Sequence, residues 1–164
     1  MIDYKIIDNA LSRKDFLKIK EMMTDQYFTW NVINTVANNS EQMPNPASYY
    51  FIHMFWEGLY TTDEVSVFIP VLEMLGAKAL MRVKGNLFPS TDNLIHHEDH
   101  FDYPCEHRGA ILYLNTNDGL TVLENEVEVE SVENRLLLFD PSKMHHSTTC
   151  TTKPYRMNVN FNFF

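Results

Sequence analysis

Residues 155–163 read YRMNVNFNF. On an extended chain Met157, Val159, Phe161 and Phe163 fall on one side and Arg156, Asn158, Asn160 and Asn162 on the other, the period of two that marks a strand with one apolar and one polar face. The same period recurs upstream. Arg82, Lys84 and Asn86 alternate with Met81, Val83 and Gly85, and Val127 and Val129 alternate with Glu126, Glu128 and Glu130. Gly109 to Asn115 is an apolar run of strand length, and Leu136 to Phe139 reads as a strand buried on both faces. Asn117-Asp118-Gly119 separates ILYLN from LTVLE, and its Asp-Gly pair predicts a tight turn with positive φ joining them as a β-hairpin.

The chain before residue 78 reads differently. Ser12 followed by Asp15 is a variant of the N-cap signal, and Phe16, Ile19, Met23 and Tyr27 then recur at helical spacing, which predicts a helix over 12–28. The run NNSEQMPNPAS at 38–48 is polar and proline-rich and predicts a loop, followed by the aromatic cluster Tyr49, Tyr50, Phe51, Phe55 and Trp56. A second helix is expected to begin near Thr62 or Asp63 and to stop at Gly76, with Pro70 requiring a kink or a later start. Seven or eight short strands after two helices, with no helix between strands, exclude a parallel α/β fold and predict a mainly β sandwich or barrel with N-terminal helical support. The expected organisation is one domain over 1–164, with 1–77 as support and 78–164 as the β core.

Composition narrows the function classes. The 164 residues carry 13 Lys and Arg against 22 Asp and Glu, a formal net charge of −9, with 45% hydrophobic and 21% charged residues. That is a globular chain able to bury a core, with no basic footprint for nucleic acid and no membrane span. Cys105 and Cys150 match no metal or redox spacing, and the N-terminus lacks a signal-peptide pattern, so a cytoplasmic setting is expected. The acidic run from Glu124 to Glu133 reads as a solvated strand face. Histidine is the anomaly: six of seven lie beyond residue 95, at 96, 97, 100, 107, 145 and 146.

Alternation places residues i and i+2 on one face, so His97 with Asp99, or His100 with Asp102, offers an imidazole and a carboxylate together. His145 or His146 can add a second imidazole. Two histidines and one carboxylate on one side of an ion make the facial triad of non-haem Fe(II) oxygenases, with three positions left open. Arg156 stands on the polar face of the last strand, where a buried guanidinium requires an anion.

His97-Glu98-Asp99, AILYLN at 110–115, Gly119-Leu120-Thr121, NRLLLFD at 134–140, His145 and YRMNVNFNF together resemble the 2-oxoglutarate- and Fe(II)-dependent dioxygenases, in particular the small phage-type prolyl-4-hydroxylase-like members. The resemblance covers roughly residues 78–164. It implies a double-stranded β-helix (jelly-roll, cupin-like), with Fe(II) as metal, 2-oxoglutarate as cosubstrate, O2 as oxidant, and hydroxylation of a C–H bond with release of succinate. His97, Asp99 and His145 fall on its metal-ligand positions. The sixteen residues from His97 to Tyr113 and the eleven from His145 to Arg156 favour this set over His100 and His146. Arg156 takes the position that grips the far carboxylate of 2-oxoglutarate, Tyr113 that of a tyrosine bonding the same cosubstrate, and Asn86 is a further candidate contact. No catalytic residue is expected beyond the metal ligands. The loop at 38–48 is a candidate lid, and the prime substrate is left open between a peptide or protein and a small molecule, with nucleic acid disfavoured. The competing reading is a non-catalytic, cupin-like metal-binding barrel, with a zinc hydrolase last.

Overall fold

The computed structural model of the chain describes residues 4–34 and 49–164. The loop expected at 38–48, and with it the lid, lies outside those residues. Helix α1 spans Arg13–Thr24, capped by Ser12, whose side chain accepts the Asp15 N–H at 3.2 Å. It ends four residues short of the expectation, leaving Tyr27 exposed, and buries Phe16, Ile19 and Met23 at the predicted spacing. A 3-10 segment, Asp63–Phe68, leads into α2, Ile69–Leu75, with Pro70 in its first turn and Gly76 ending it at φ 62°. The later start expected from Pro70 is the arrangement observed, because the first turn tolerates a residue without an N–H.

Among the described residues eleven strands form two antiparallel sheets: β1 (Lys5–Ile7), β2 (Asn31–Ile33), β3 (Tyr50–Glu57), β4 (Tyr60–Thr61), β5 (Leu80–Pro89), β6 (Arg108–Tyr113), β7 (Leu120–Leu123), β8 (Val127–Glu130), β9 (Leu136–Phe139), β10 (His145–Ser147) and β11 (Tyr155–Phe163). The larger sheet runs β1-β9-β6-β11-β5-β3-β2 with β4 on β3, and the smaller runs β10-β7-β8. This is the expected mainly β, double-stranded β-helix architecture. The region before residue 78 is less helical than its sequence suggests, since it supplies β1 to β4. β3 escapes a period-two reading because seven of its eight residues are at least partly buried, on both faces.

The predicted hairpin does not form. β6 pairs with β9 and β11, whereas β7 pairs with β8 and β10, so 114–119 crosses from one sheet to the other. Asp118 is taken by the backbone N–H groups of Thr151 and Thr152, at 2.8 and 3.1 Å, and so is not available to shape a two-residue turn. Gly119 is required by crowding rather than by positive φ: a Cβ there would meet Arg156 Cδ at 2.5 Å and the Thr149 carbonyl at 2.6 Å.

The larger sheet has two unlike faces. Val83, Ala110, Leu112, Leu136, Met157, Val159, Phe161 and Phe163 pack with the buried faces of the helices in one core. The opposite face carries Tyr113, Ile111, Leu137 and Phe139, which pack with Leu123 and Val129 of the smaller sheet. Beyond that inner cluster, β5 and β11 set polar residues side by side, Asn86 beside Asn158, Lys84 beside Asn160 and Arg82 beside Asn162, with Phe88 beside Arg156 at the end of the row.

Candidate active site

A cavity of about 310 Å³ opens between the sheets over this polar ladder. Its walls include Arg82, Lys84, Asn86, Asn158 and Arg156 from the larger sheet, Thr121 and His145 from the smaller, and His100 and Asp102 from the connection between β5 and β6. That connection lies antiparallel to β10. His97 N–H donates to Ser147, and His100 and His145 exchange both backbone hydrogen bonds. Bridges pair His96 with Thr148 and His100 with His145, four residues apart on one side and three on the other. One extra residue is therefore accommodated, and a one-residue bulge reverses which side chains face inward.

The consequence is a different donor set from the one expected. The structure brings His145 together with His100 and Asp102, their ligand atoms all within 4.8 Å of one another. It does not bring His97 or Asp99 to them. His97 stacks on Phe88 with Nδ1 2.8 Å from Ser147 Oγ, and Asp99, mostly exposed, lies 2.7 Å from His146 Nδ1. His146 is thereby tied to Asp99, and on its other nitrogen to His96 at 3.0 Å. The strand alternation behind the His97–Asp99 expectation is broken by the bulge.

Each of the three clustered residues is fixed by a partner behind it. His100 Nδ1 lies 3.2 Å from the Glu98 carbonyl and His145 Nδ1 2.9 Å from the Lys143 carbonyl. A carbonyl only accepts, so each Nδ1 carries a proton, and in the neutral ring that leaves the Nε2 lone pair for a ligand. Burial holds the His145 ring below the ordinary histidine value, which also favours the neutral, ligating form. Asp102 lies 2.7 Å from Arg82 Nη2 and accepts from Asn162 Nδ2 at 2.8 Å. Burial works to raise this carboxyl, but the Arg82 charge, the His145 and Lys84 charges and the Asn162 hydrogen bond together outweigh it and hold Asp102 well below the usual carboxylate range. Asn162 ties the group together, accepting from Arg82 Nε at 3.1 Å and reaching His107 Nε2 at 3.0 Å. Two imidazoles and an ionised carboxylate are a donor set suited to a divalent first-row transition metal with open positions.

Arg156 lies deeper, with no exposed surface. Its Nε donates to Ser131 Oγ at 2.8 Å and its Nη2 to Thr121 Oγ1 at 2.9 Å, while Phe88 and Tyr113 flank the guanidinium with ring centroids 5.5 and 5.7 Å away. Nη1 is buried without a partner, and among the described residues no carboxylate pairs with this cation. Asn86 lines the cavity and donates to Asn158 Oδ1 at 3.0 Å. Tyr113 is fully buried, its hydroxyl donating to Thr121 at 2.8 Å, which places it behind Arg156 rather than on the cavity wall. Sequence reasoning passed over Thr121, Ser131, Arg82 and Asn162. Arg82 and Asn162 were visible as members of the alternating polar face and Thr121 as part of Gly119-Leu120-Thr121, each without an assigned role, whereas Ser131 carries no sequence signal.

Solved structures that resemble this architecture include prolyl hydroxylases and an alpha-ketoglutarate-dependent epimerase. A prolyl-4-hydroxylase from Pseudomonas putida superposes with a TM-score of 0.61 at 15% identity, over 99% of this chain and 93% of that one. The chain has the fold of the prolyl-4-hydroxylase-like 2-oxoglutarate oxygenases. A prolyl hydroxylase from Trichoplax adhaerens, solved with a hypoxia-inducible-factor peptide fragment, matches at TM-score 0.69 and 13% identity over 98% and 83% of the two chains. A viral collagen prolyl hydroxylase from Paramecium Bursaria Chlorella virus-1, solved with 2-oxoglutarate, matches at 0.62 and 13% over 97% and 94%. No protein-family model and no curated protein matches the chain by sequence.

Proposed function

We propose that the protein is an Fe(II)- and 2-oxoglutarate-dependent dioxygenase that hydroxylates a C–H bond, in the manner of a prolyl hydroxylase, while 2-oxoglutarate is converted to succinate and carbon dioxide. The observation that carries this reading is the Arg156 guanidinium, buried with a bare Nη1 in the cavity that also holds His100, Asp102 and His145. An unanswered buried cation is costly, and a carboxylate is its natural complement.

In this reading His100, Asp102 and His145 hold the iron, which when bound supplies oxygen activation coupled to oxidative decarboxylation. Arg156 fixes the far carboxylate of 2-oxoglutarate, and Ser131 and Thr121 hold two of its nitrogens so that the third is presented to the ligand. Asn86 and Asn158 form the floor between the anchor and the metal ligands. The apolar walls from Phe88 and Ile111 limit water around the bound ligand. The whole chain acts as one catalytic domain in the cytoplasm. No helix among the described residues is long and apolar enough to cross a membrane.

The test measures 2-oxoglutarate binding by calorimetry with Mn(II) replacing iron, and succinate release with Fe(II). The proposal expects both in the wild-type protein and neither in Asp102→Ala. Metal binding without any affinity for 2-oxoglutarate would overturn it in favour of a non-catalytic, cupin-like metal-binding barrel.

A further inference from the structure

The cavity holds more positive charge than its metal and cosubstrate account for. Among the described residues its ionisable walls carry Arg82, Lys84 and Arg156 against one carboxylate, Asp102, in a chain whose formal net charge is −9. Arg82 is committed to Asp102 and Asn162. In the reading above, Arg156 answers one carboxylate of 2-oxoglutarate and the metal answers the other. Lys84 is left over.

Lys84 stands on β5 beside Asn160 of β11, between the Arg82–Asn162 pair that supports Asp102 and the Asn86–Asn158 pair. Its ammonium lies 5.9 Å from the centroid of the Tyr50 ring, and among the described residues no carboxylate forms an ion pair with it. The charged groups acting on it are Arg82, Asp102 and Glu57, and Glu57 already accepts from the Tyr103 hydroxyl at 3.2 Å. Burial, with Arg82 adding to it, pulls the ammonium down to about 8, so it stays largely protonated at neutral pH. A cation held in a recess by a ring face, rather than by an anion of its own, is oriented to receive one.

We propose that Lys84 is the specificity-determining contact for the prime substrate, and that this substrate is a small molecule bearing a carboxylate that pairs with the Lys84 ammonium. The inference rests on the dioxygenase reading. The size of the recess supports it: about 310 Å³ is near the lower end for small-molecule sites, and the same space must also hold the cosubstrate. A neutral peptide segment would leave the ammonium desolvated and unanswered, whereas a carboxylate converts that cost into a charge-assisted hydrogen bond.

The experiment uses the full chain loaded with Fe(II) and 2-oxoglutarate and a panel of free amino acids, hydroxy acids and short carboxylic acids, each paired with its amide. Stimulation of succinate release is read first, and affinity on the Mn(II)-loaded protein second. The proposal expects at least one acid to be favoured over its amide by roughly ten- to a hundredfold. That preference should collapse in Lys84→Met and return in part in Lys84→Arg; an acid-to-amide ratio is insensitive to a general loss of folded protein. Three results overturn it: no acid in the panel binds or stimulates; C-terminally amidated proline-containing peptides stimulate where the acids do not; or Lys84→Met weakens 2-oxoglutarate more than it weakens the preferred acid. Failure of the wild-type protein to bind 2-oxoglutarate would instead strike the dioxygenase reading itself.

Discussion

The two faces of the larger sheet are built by the same strands and differ in almost every other respect. On β11, Met157, Val159, Phe161 and Phe163 are buried against the helices. One residue out of step, Arg156, Asn158 and Asn162 are as thoroughly buried, yet Arg156 and Asn158 line a cavity and Asn162 braces one of its walls. Buried apolar area stabilises the fold directly, whereas a buried polar group stabilises it only when partnered. Asn162 is saturated, by Arg82, Asp102 and His107; Arg156 is not, and retains one bare nitrogen. Partner satisfaction therefore separates the part of the polar face that holds other residues in place from the part that the proposed function assigns to a ligand.

The largest effect expected from breaking this division lies at the proposed metal ligands. His100→Ala and Asp102→Ala should each weaken Mn(II) binding by more than about a hundredfold, beyond the usual cost of losing an outer partner. His97→Ala and Asp99→Ala should retain the metal. Metal content after loading and dialysis measures both pairs, and the reverse pattern would move the site three residues toward the N-terminus.

Next come substitutions of opposite sign on the two faces. Phe161→Ala opens a hole in the apolar core and should cost about 3–5 kcal/mol in urea unfolding. Arg156→Met removes an unanswered buried charge, so the ligand-free protein should unfold no earlier than wild type while its 2-oxoglutarate affinity falls by about 2–5 kcal/mol. A large loss of ligand-free stability in Arg156→Met would mean that the guanidinium is satisfied within the protein. A smaller version of the same test is Gly119→Ala, whose methyl group would press on Arg156 Cδ and the Thr149 carbonyl. It should cost about 1–3 kcal/mol in stability and weaken 2-oxoglutarate binding with the metal site intact.

The smallest expected effect is electrostatic, about 1 kcal/mol when read over the first pH unit below 6.5. Burial, followed by the Arg156 charge, pulls the His97 ring down to about 3 from its ordinary 6.5, so the folded chain refuses a proton that the unfolded chain accepts. His97 thus costs no stability above pH 6.5, and stability falls progressively as pH drops from there toward about 3. His97→Gln should flatten that part of the profile of urea midpoint against pH, leaving a shallower slope of the same sign from His145, whose value is also lowered by burial.

How far the sequence revealed this arrangement depends on whether a residue's role was local. The strands at 80–89, 127–130 and 155–163 were legible because a half-buried strand writes its two faces into its own alternation, and those at 108–113 and 136–139 as short apolar runs of strand length. The helix at 13–24 was legible from its cap and its apolar spacing. β3 was not, since burial on both sides erases the pattern, and neither was the fate of Asp118-Gly119, which is set by Thr151, Thr152 and Arg156 from another part of the chain. For the donor set, the His-x-Asp spacing was visible twice. The choice between the two copies depended on a single extra residue opposite β10, and such a bulge is decided by pairing rather than by composition. Arg156 was readable as a buried cation in search of an anion because its own strand declared which way it points.

The register of β11 has a further consequence. A shift of one residue against β5 and β6 would carry Arg156 and the three asparagines into the helical core and turn Met157, Val159 and Phe161 into the cavity. The strand therefore acts as its own proofreader: no misaligned but well-packed form exists that lacks only the ligand site. Insertion of one residue within 156–162 should abolish folding and ligand binding together, so protein recovered in soluble, cooperative form will already carry a correctly assembled pocket.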